Sequence, residues 1–169
     1  MNLVLIGYRG TGKSHVGFLL GKQLEMNLIS LDAEIVKTAG MAIPQLVERY
    51  GWDDFRDRET AEVHKAAAND GLLIDCGGGV IERPENIEIL RQNGLIFWLK
   101  ASCETIVGRI ENSTERPALV DGKTFTEEVA EVLERRTPKY AQAADHQIDT
   151  DGSTVPQVVA QIVALWKKR

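Results

Sequence analysis

Eight consecutive residues, Gly7-Tyr8-Arg9-Gly10-Thr11-Gly12-Lys13-Ser14, match the spacing GxxxxGK[ST]. Glycines at these places let backbone N–H groups turn inward around an anion, and a helix beginning at the lysine adds the positive end of its dipole. Lys13 then reaches the outer phosphates of a nucleotide, and the Ser14 hydroxyl is a ligand for magnesium. The chemistry predicted is the binding of a nucleoside triphosphate. Arg9, within the loop, is expected to face solvent, as most single arginines do.

Two carboxylates follow short apolar stretches: Asp32 after Leu28-Ile29-Ser30-Leu31, and Asp75 after Leu72-Leu73-Ile74. Each is expected to project from the carboxyl end of a strand beside the phosphate loop, where a hard cation needs oxygen ligands or bound waters. One of the two should organise magnesium; the other reading of each is a carboxylate that caps the next turn. Gly77-Gly78-Gly79 follows at once. Three successive glycines suit no regular element and imply positive φ, a close backbone approach or a plain tight turn. Arg56 and Glu59 stand three apart, the spacing of a pair on one helix face, which by itself reads as an ordinary surface ion pair. Arg109, Arg116 and Arg135-Arg136 are either scattered solvated charge or, on a closing loop, stabilisers of charge developing on a transferred phosphoryl group.

The elements that must position these groups are legible in the hydrophobic pattern. Leu3-Val4-Leu5-Ile6 lacks the alternation of a half-exposed strand and reads as a buried one. From Lys13 to Glu25, Val16, Leu19, Leu20 and Leu24 recur at helical spacing. Leu28 to Leu31, Leu72 to Ile74, Leu95 to Leu99 and Gln147 to Asp149 read as further strands. Ile43 to Tyr50, Asp54 to Ala68, Glu104 to Ile110, Thr126 to Ala141 and Val155 to Trp166 read as helices. Strands alternating with helices predict an α/β fold, a parallel sheet with helices on both faces, whose ligand sits outside the carboxyl ends of the strands. The polar stretch Glu111 to Thr124 is expected to be a mobile loop.

At 169 residues the chain fits one domain, and that size is compatible with action as a monomer. A formal net charge of −5 provides no general attraction for nucleic acid or an anionic membrane, and no apolar run is long enough to span a bilayer. Cys76 and Cys103 lack zinc-site spacing and read as inert thiols, and the N-terminus lacks a leader pattern, so a cytoplasmic location is expected.

In this order and at these separations, GYRGTGKS, SLDAE, FRDRE, CGGGV, ERPAL and RRTPKY make the chain similar to the shikimate kinases of the nucleoside monophosphate kinase group. The resemblance covers nearly the whole chain. It implies a five-stranded parallel sheet with a P-loop NTPase core, a shikimate-binding region at about residues 33–60 and a lid at about 111–124. It also implies transfer of the γ-phosphate of ATP to the 3-hydroxyl of shikimate with Mg2+, a step toward chorismate and the aromatic amino acids. Carried over by position, Gly10, Thr11, Gly12, Lys13, Ser14 and His15 would bind ATP, with Arg109 against the adenine and Arg116 on the phosphates. Arg56, Gly78, Gly79 and Arg136 would hold the carboxylate and hydroxyls of shikimate, with Glu59 orienting Arg56. Lys13, Asp32, Glu34 and Arg116 would be catalytic, Asp32 and Glu34 would also meet the acceptor, and Ser14 and Asp32 would serve the metal site.

Two positions depart from the family pattern. The family usually has Asp-x-Asp where this chain has Asp32-Ala33-Glu34, which puts a glutamate where the attacking hydroxyl is expected, and Asp75 stands where members often have a small or hydroxyl residue. The rival readings are a kinase for another small hydroxy acid such as gluconate and a non-catalytic nucleotide-binding module.

Overall fold

Apolar runs that do not alternate must be buried on both faces, and the computed structural model, which describes residues 1–110 and 123–169, shows how. In β1 (Asn2–Ile6), Leu3 and Leu5 enter one hydrophobic cluster and Val4 and Ile6 the other, and all four are fully buried. The first cluster is closed by α1 (Lys13–Leu24) and α7 (Val155–Trp166) through Val16, Leu20, Val158 and Ile162. The second is closed by α3 (Ile43–Ala67), α4 (Pro84–Gln92), α5 (Cys103–Ile110) and α6 (Phe125–Ala143), which contribute Val63, Ile87, Ile106 and Val132. Burying aliphatic side chains of this size stabilises by about 1.5–3 kcal/mol apiece, so this three-layer arrangement is the main source of stability.

β1, β2 (Asn27–Ser30), β3 (Leu72–Asp75), β4 (Gly94–Lys100) and β5 (His146–Asp149) form one parallel sheet in the order β2-β3-β1-β4-β5. The chain leaves β1 toward β2 on one side and leaves β3 toward β4 on the other. The reversal opens a crevice between the carboxyl ends of β1 and β3, the place where such sheets bind ligands.

Two helices escape the hydrophobic pattern. The strand expected through Leu31 stops at Ser30, whose Oγ accepts a hydrogen bond from Ala33 N at 3.4 Å and so caps α2 (Leu31–Ala39). Only Leu31 and Ile35 of α2 are buried, and Leu31 continues the apolar run of β2, which conceals the boundary. The segment Pro84 to Gln92 forms α4 after a 3-10 turn at Val80–Glu82. The two helices expected on either side of Gly51 are present and together make up α3, separated by a kink where Gly51 leaves helical geometry (φ 86°, ψ 170°). Ile35 of α2 packs with Ile43, Leu46 and Phe55 of α3 in a small core of their own, inside the stretch expected to bind the acceptor. Among the described residues no helix is long and apolar enough to cross a membrane.

Candidate active site

The loop after β1 wraps the mouth of the crevice. Gly12 adopts φ 90°, a conformation that side-chain-bearing residues resist, and this lets α1 begin at Lys13. Lys13 is buried, and its Nζ donates to the carbonyls of Gly7 and Tyr8 at 2.7 and 3.1 Å. A cavity of about 690 Å3 opens here, of a size that suits a small-molecule ligand. Of the candidate residues, Gly10, Gly12, Lys13, Ser14, His15, Asp32, Asp75, Gly78 and Arg109 line it, together with Arg9, Ser30, Cys76, Gly77 and Ile110. Arg109 Nη1 donates to Gly10 O at 3.0 Å. A smaller cavity of about 180 Å3 shares Gly12, His15 and Arg109 and adds Thr11, Thr150 and Val158.

Ser14 Oγ donates to Asp75 Oδ2 at 2.9 Å. Burial pushes the Asp75 carboxyl above its ordinary value, against the pull of Lys13 and the Ser14 hydrogen bond. No group of three or more His, Cys, Asp or Glu side chains among the described residues could hold a metal by itself. Magnesium needs no such cage: it keeps several waters and takes one or two carboxylates plus substrate phosphates. Ser14, Ser30, Asp32 and Asp75, which all line this cavity, supply hard oxygens that fit that requirement.

None of the three glycines has positive φ, and close approach explains Gly77 and Gly79, whereas Gly78 has only ordinary contacts around it. A Cβ on Gly79 would overlap the Arg56 guanidinium, one on Gly77 would lie 2.8 Å from Asp32 Oδ1, and one on Gly78 would lie 3.6 Å from Arg136 Nη1. Two arginines thus flank the glycines, and each is held by a glutamate. Arg56 Nη1 donates to Glu59 Oε2 at 2.6 Å, with Glu59 fully buried. This pair is therefore not the surface ion pair that its spacing alone suggests. Burial raises the Glu59 carboxyl, and Arg56 opposes the rise. Arg136 Nε donates to Glu82 Oε1 and Lys139 Nζ to Glu82 Oε2, both at 2.7 Å. Burial alone would raise the Glu82 carboxyl, but the hydrogen bonds from Lys139 and Arg136 outweigh it and hold it at about 2. Tyr140 Oη donates to Gly78 O and ties α6 to the same glycines.

Two expectations meet a different geometry. Glu34 does not line the cavity; it pairs with Lys37 at 3.4 Å along the outside of α2. The reason is helical phase: Asp32 and Glu34 are two apart, and residues at that spacing do not share a helix face. Arg9 is not solvent-facing, since its Nη2 donates to Glu128 Oε1 at 3.1 Å and its guanidinium lies 5.7 Å from the Phe125 ring centre. Arg116 and all of the expected lid except Lys123 and Thr124 lie outside the described residues. Glu82 and Ser30 were not anticipated as site residues. Glu82 lies 54 positions from its partner Arg136, a separation at which local spacing carries no signal.

Comparison with known proteins agrees with this geometry. The family model for shikimate kinase matches residues 9–167. The chain is 41% identical over 167 residues to the shikimate kinase of Geobacter sulfurreducens, a match covering 99% of this chain and 91% of that one. It is 37% identical over 167 residues to the shikimate kinase of Pelotomaculum thermopropionicum, covering 99% and 96%. Among solved structures it matches the shikimate kinase from Acinetobacter baumannii in complex with shikimate, with a TM-score of 0.94 and 29% identity over 99% of this chain and 93% of that one. With the phosphate loop, the glycine floor and the flanking arginines in one crevice, and near-full-length similarity on both measures, the chain belongs to the shikimate kinase family.

Proposed function

We propose that the chain transfers the γ-phosphate of ATP to the 3-hydroxyl of shikimate, giving shikimate 3-phosphate on the route to chorismate and the aromatic amino acids. The observation that carries this reading is the pair of glutamate-held arginines, Arg56 against Gly79 and Arg136 beside Gly78, in a glycine run whose Gly77 and Gly78 also line the nucleotide cavity. Guanidinium groups fixed in this way present their remaining N–H groups to a carboxylate in fork geometry. Family membership does not favour a kinase for gluconate or a non-catalytic nucleotide module.

The bond between the 3-oxygen and the γ-phosphorus forms as the bond from that phosphorus to the β,γ-bridging oxygen breaks. Asp32 accepts the hydroxyl proton. Lys13 and the N–H groups at the start of α1 hold the charge that develops on the phosphoryl oxygens. Ser14 with a nearby carboxylate, Asp32 or Asp75, would hold Mg2+, which would supply charge neutralisation to the nucleotide phosphates. Arg109, which shares the smaller cavity with Thr11 and Val158, is assigned to the adenine by family resemblance. Arg116, outside the described residues, is assigned to the phosphates by family resemblance, and residues 33–60 to the acceptor. Donor and acceptor groups come from one chain, which suits action as a monomer, and Cys76 and Cys103 stand as free thiols, which suits the cytoplasm.

A coupled ADP-release assay with ATP and Mg2+, run without acceptor, with shikimate and with gluconate, tests the reading. ADP release that depends on shikimate is the expected result. Equal release with gluconate, or none with either, sinks the acceptor assignment.

A further inference from the structure

The crevice contains two acids that a phosphate-bound cation could use, and they stand on different elements. Asp75 is the last residue of β3, the strand hydrogen-bonded to β1, from which the phosphate loop springs. It receives the hydrogen bond from Ser14 at 2.9 Å and is only 6% exposed. Its register partner on β2 is Ser30, which lines the same cavity with a hydroxyl in place of a carboxylate. Asp32 lies in the first turn of α2, lines the same cavity and sets its Oδ1 beside Gly77. The point where a Gly77 Cβ would stand is 2.8 Å from Asp32 Oδ1 and 3.0 Å from Glu59 Oε1, the glutamate that holds Arg56.

A carboxylate buried at a strand end is costly unless charge and hydrogen bonds compensate it, and a small apolar residue would close β3 more cheaply. The compensating groups of Asp75 are Ser14 and Lys13, both on the phosphate loop. On this geometry we propose that Asp75, acting through Ser14 and bound waters, is the carboxylate that positions the nucleotide's Mg2+, and that Asp32 is reserved for the acceptor hydroxyl. The inference rests on the ATP-dependent phosphotransferase reading above and divides two roles that the sequence left with either acid.

Metal binding to the enzyme–ADP complex tests this without turnover. Mn2+ affinity, read by electron paramagnetic resonance with ADP present, is measured for the parent, Asp75→Asn, Asp32→Asn and the double variant Ser30→Asp/Asp75→Ser. Asparagine keeps the shape and an acceptor for Ser14, and aspartate at position 30 remains a good helix cap. Asp75→Asn should bind metal-free ADP like the parent yet lose about tenfold or more in Mn2+ affinity, the scale of metal-supporting groups. Asp32→Asn should keep Mn2+ affinity within about twofold while losing turnover, and moving the carboxylate back across the register pair should restore most of the loss. Unchanged Mn2+ affinity in Asp75→Asn, or its loss in Asp32→Asn instead, overturns the proposal. If Asp75→Asn lacks a cooperative thermal transition, the double variant decides: near-parent Mn2+ affinity supports the assignment and a loss overturns it. No step needs shikimate, so failure of the acceptor assignment in the ADP-release assay leaves this readout intact.

Discussion

Glu82 Oε1 accepts the Nε–H of Arg136 at 2.7 Å, so that the guanidinium's Nη1 edge stays directed at Gly78 and the acceptor side of the crevice. Glu82 also takes Lys139, which neutralises a second cation beside the clamp. Glu82 is thus a positioning residue for Arg136, as Glu59 is for Arg56. Losing a charge-assisted hydrogen bond of this kind is worth about 1.5–3 kcal/mol. Glu82→Gln should therefore raise KM for shikimate about tenfold or more while leaving kcat and the KM for ATP within about threefold. Steady-state kinetics with each substrate varied separates this from a general structural defect, which would move all three constants.

The same carboxylate predicts an acid-sensitive share of stability. Its folded value of about 2 lies below the ordinary value of 4.5, so its contribution is fully present above pH 4.5 and is lost as pH falls through about 2. Thermal melts of the parent and Glu82→Gln at neutral pH and at successively lower pH should show the largest gap at neutrality and a narrowing gap below pH 4.5. A gap that stays constant down to the acid limit would mean that Glu82 contributes through shape alone.

Helical phase distinguishes the two acids of α2. Asp32 lines the cavity and Glu34 pairs with Lys37 outside it. Asp32→Asn should lower kcat by about 10²-fold or more, the usual worth of a positioned proton acceptor. Glu34→Gln removes only an exposed ion pair and should stay within about twofold of the parent. Equal losses in the two variants would return Glu34 to the active site.

Gly79 has no room for a side chain, because a Cβ there would overlap the Arg56 guanidinium. Gly79→Ala should displace Arg56 from the fully buried Glu59, and breaking a buried pair costs about 3–5 kcal/mol. Urea unfolding should register that loss, together with a rise of at least about tenfold in KM for shikimate. Parent-like stability would show that Arg56 moves aside freely.

Lys13 reaches the carbonyls of Gly7 and Tyr8, while the N–H groups at the start of α1 do not depend on its side chain. Lys13→Ala should keep the parent's circular dichroism and lose about 10²–10³ in turnover, the scale of one transition-state stabiliser. Retention of a tenth of the parent rate would contradict the assignment of the phosphate loop.

The sequence by itself determined what short-range patterns can carry. The phosphate loop was legible because its glycines, lysine and serine act within one turn, and the buried strands were legible because runs such as Leu3-Val4-Leu5-Ile6 need two covered faces. Even the pairing of Arg56 with Glu59 was accessible, since three residues on a helix make neighbours. Tertiary structure decided the rest. The start of α2 rests on a single capping hydroxyl, Ser30, hidden at the end of an apolar run, and that start sets which of Asp32 and Glu34 turns inward. The placement of Asp75 behind Ser14 depends on β3 lying next to β1, and the bond from Arg136 to Glu82 joins residues 54 positions apart. Such contacts follow from strand order and helix packing, which the whole core settles at once, and no local spacing of residues encodes them.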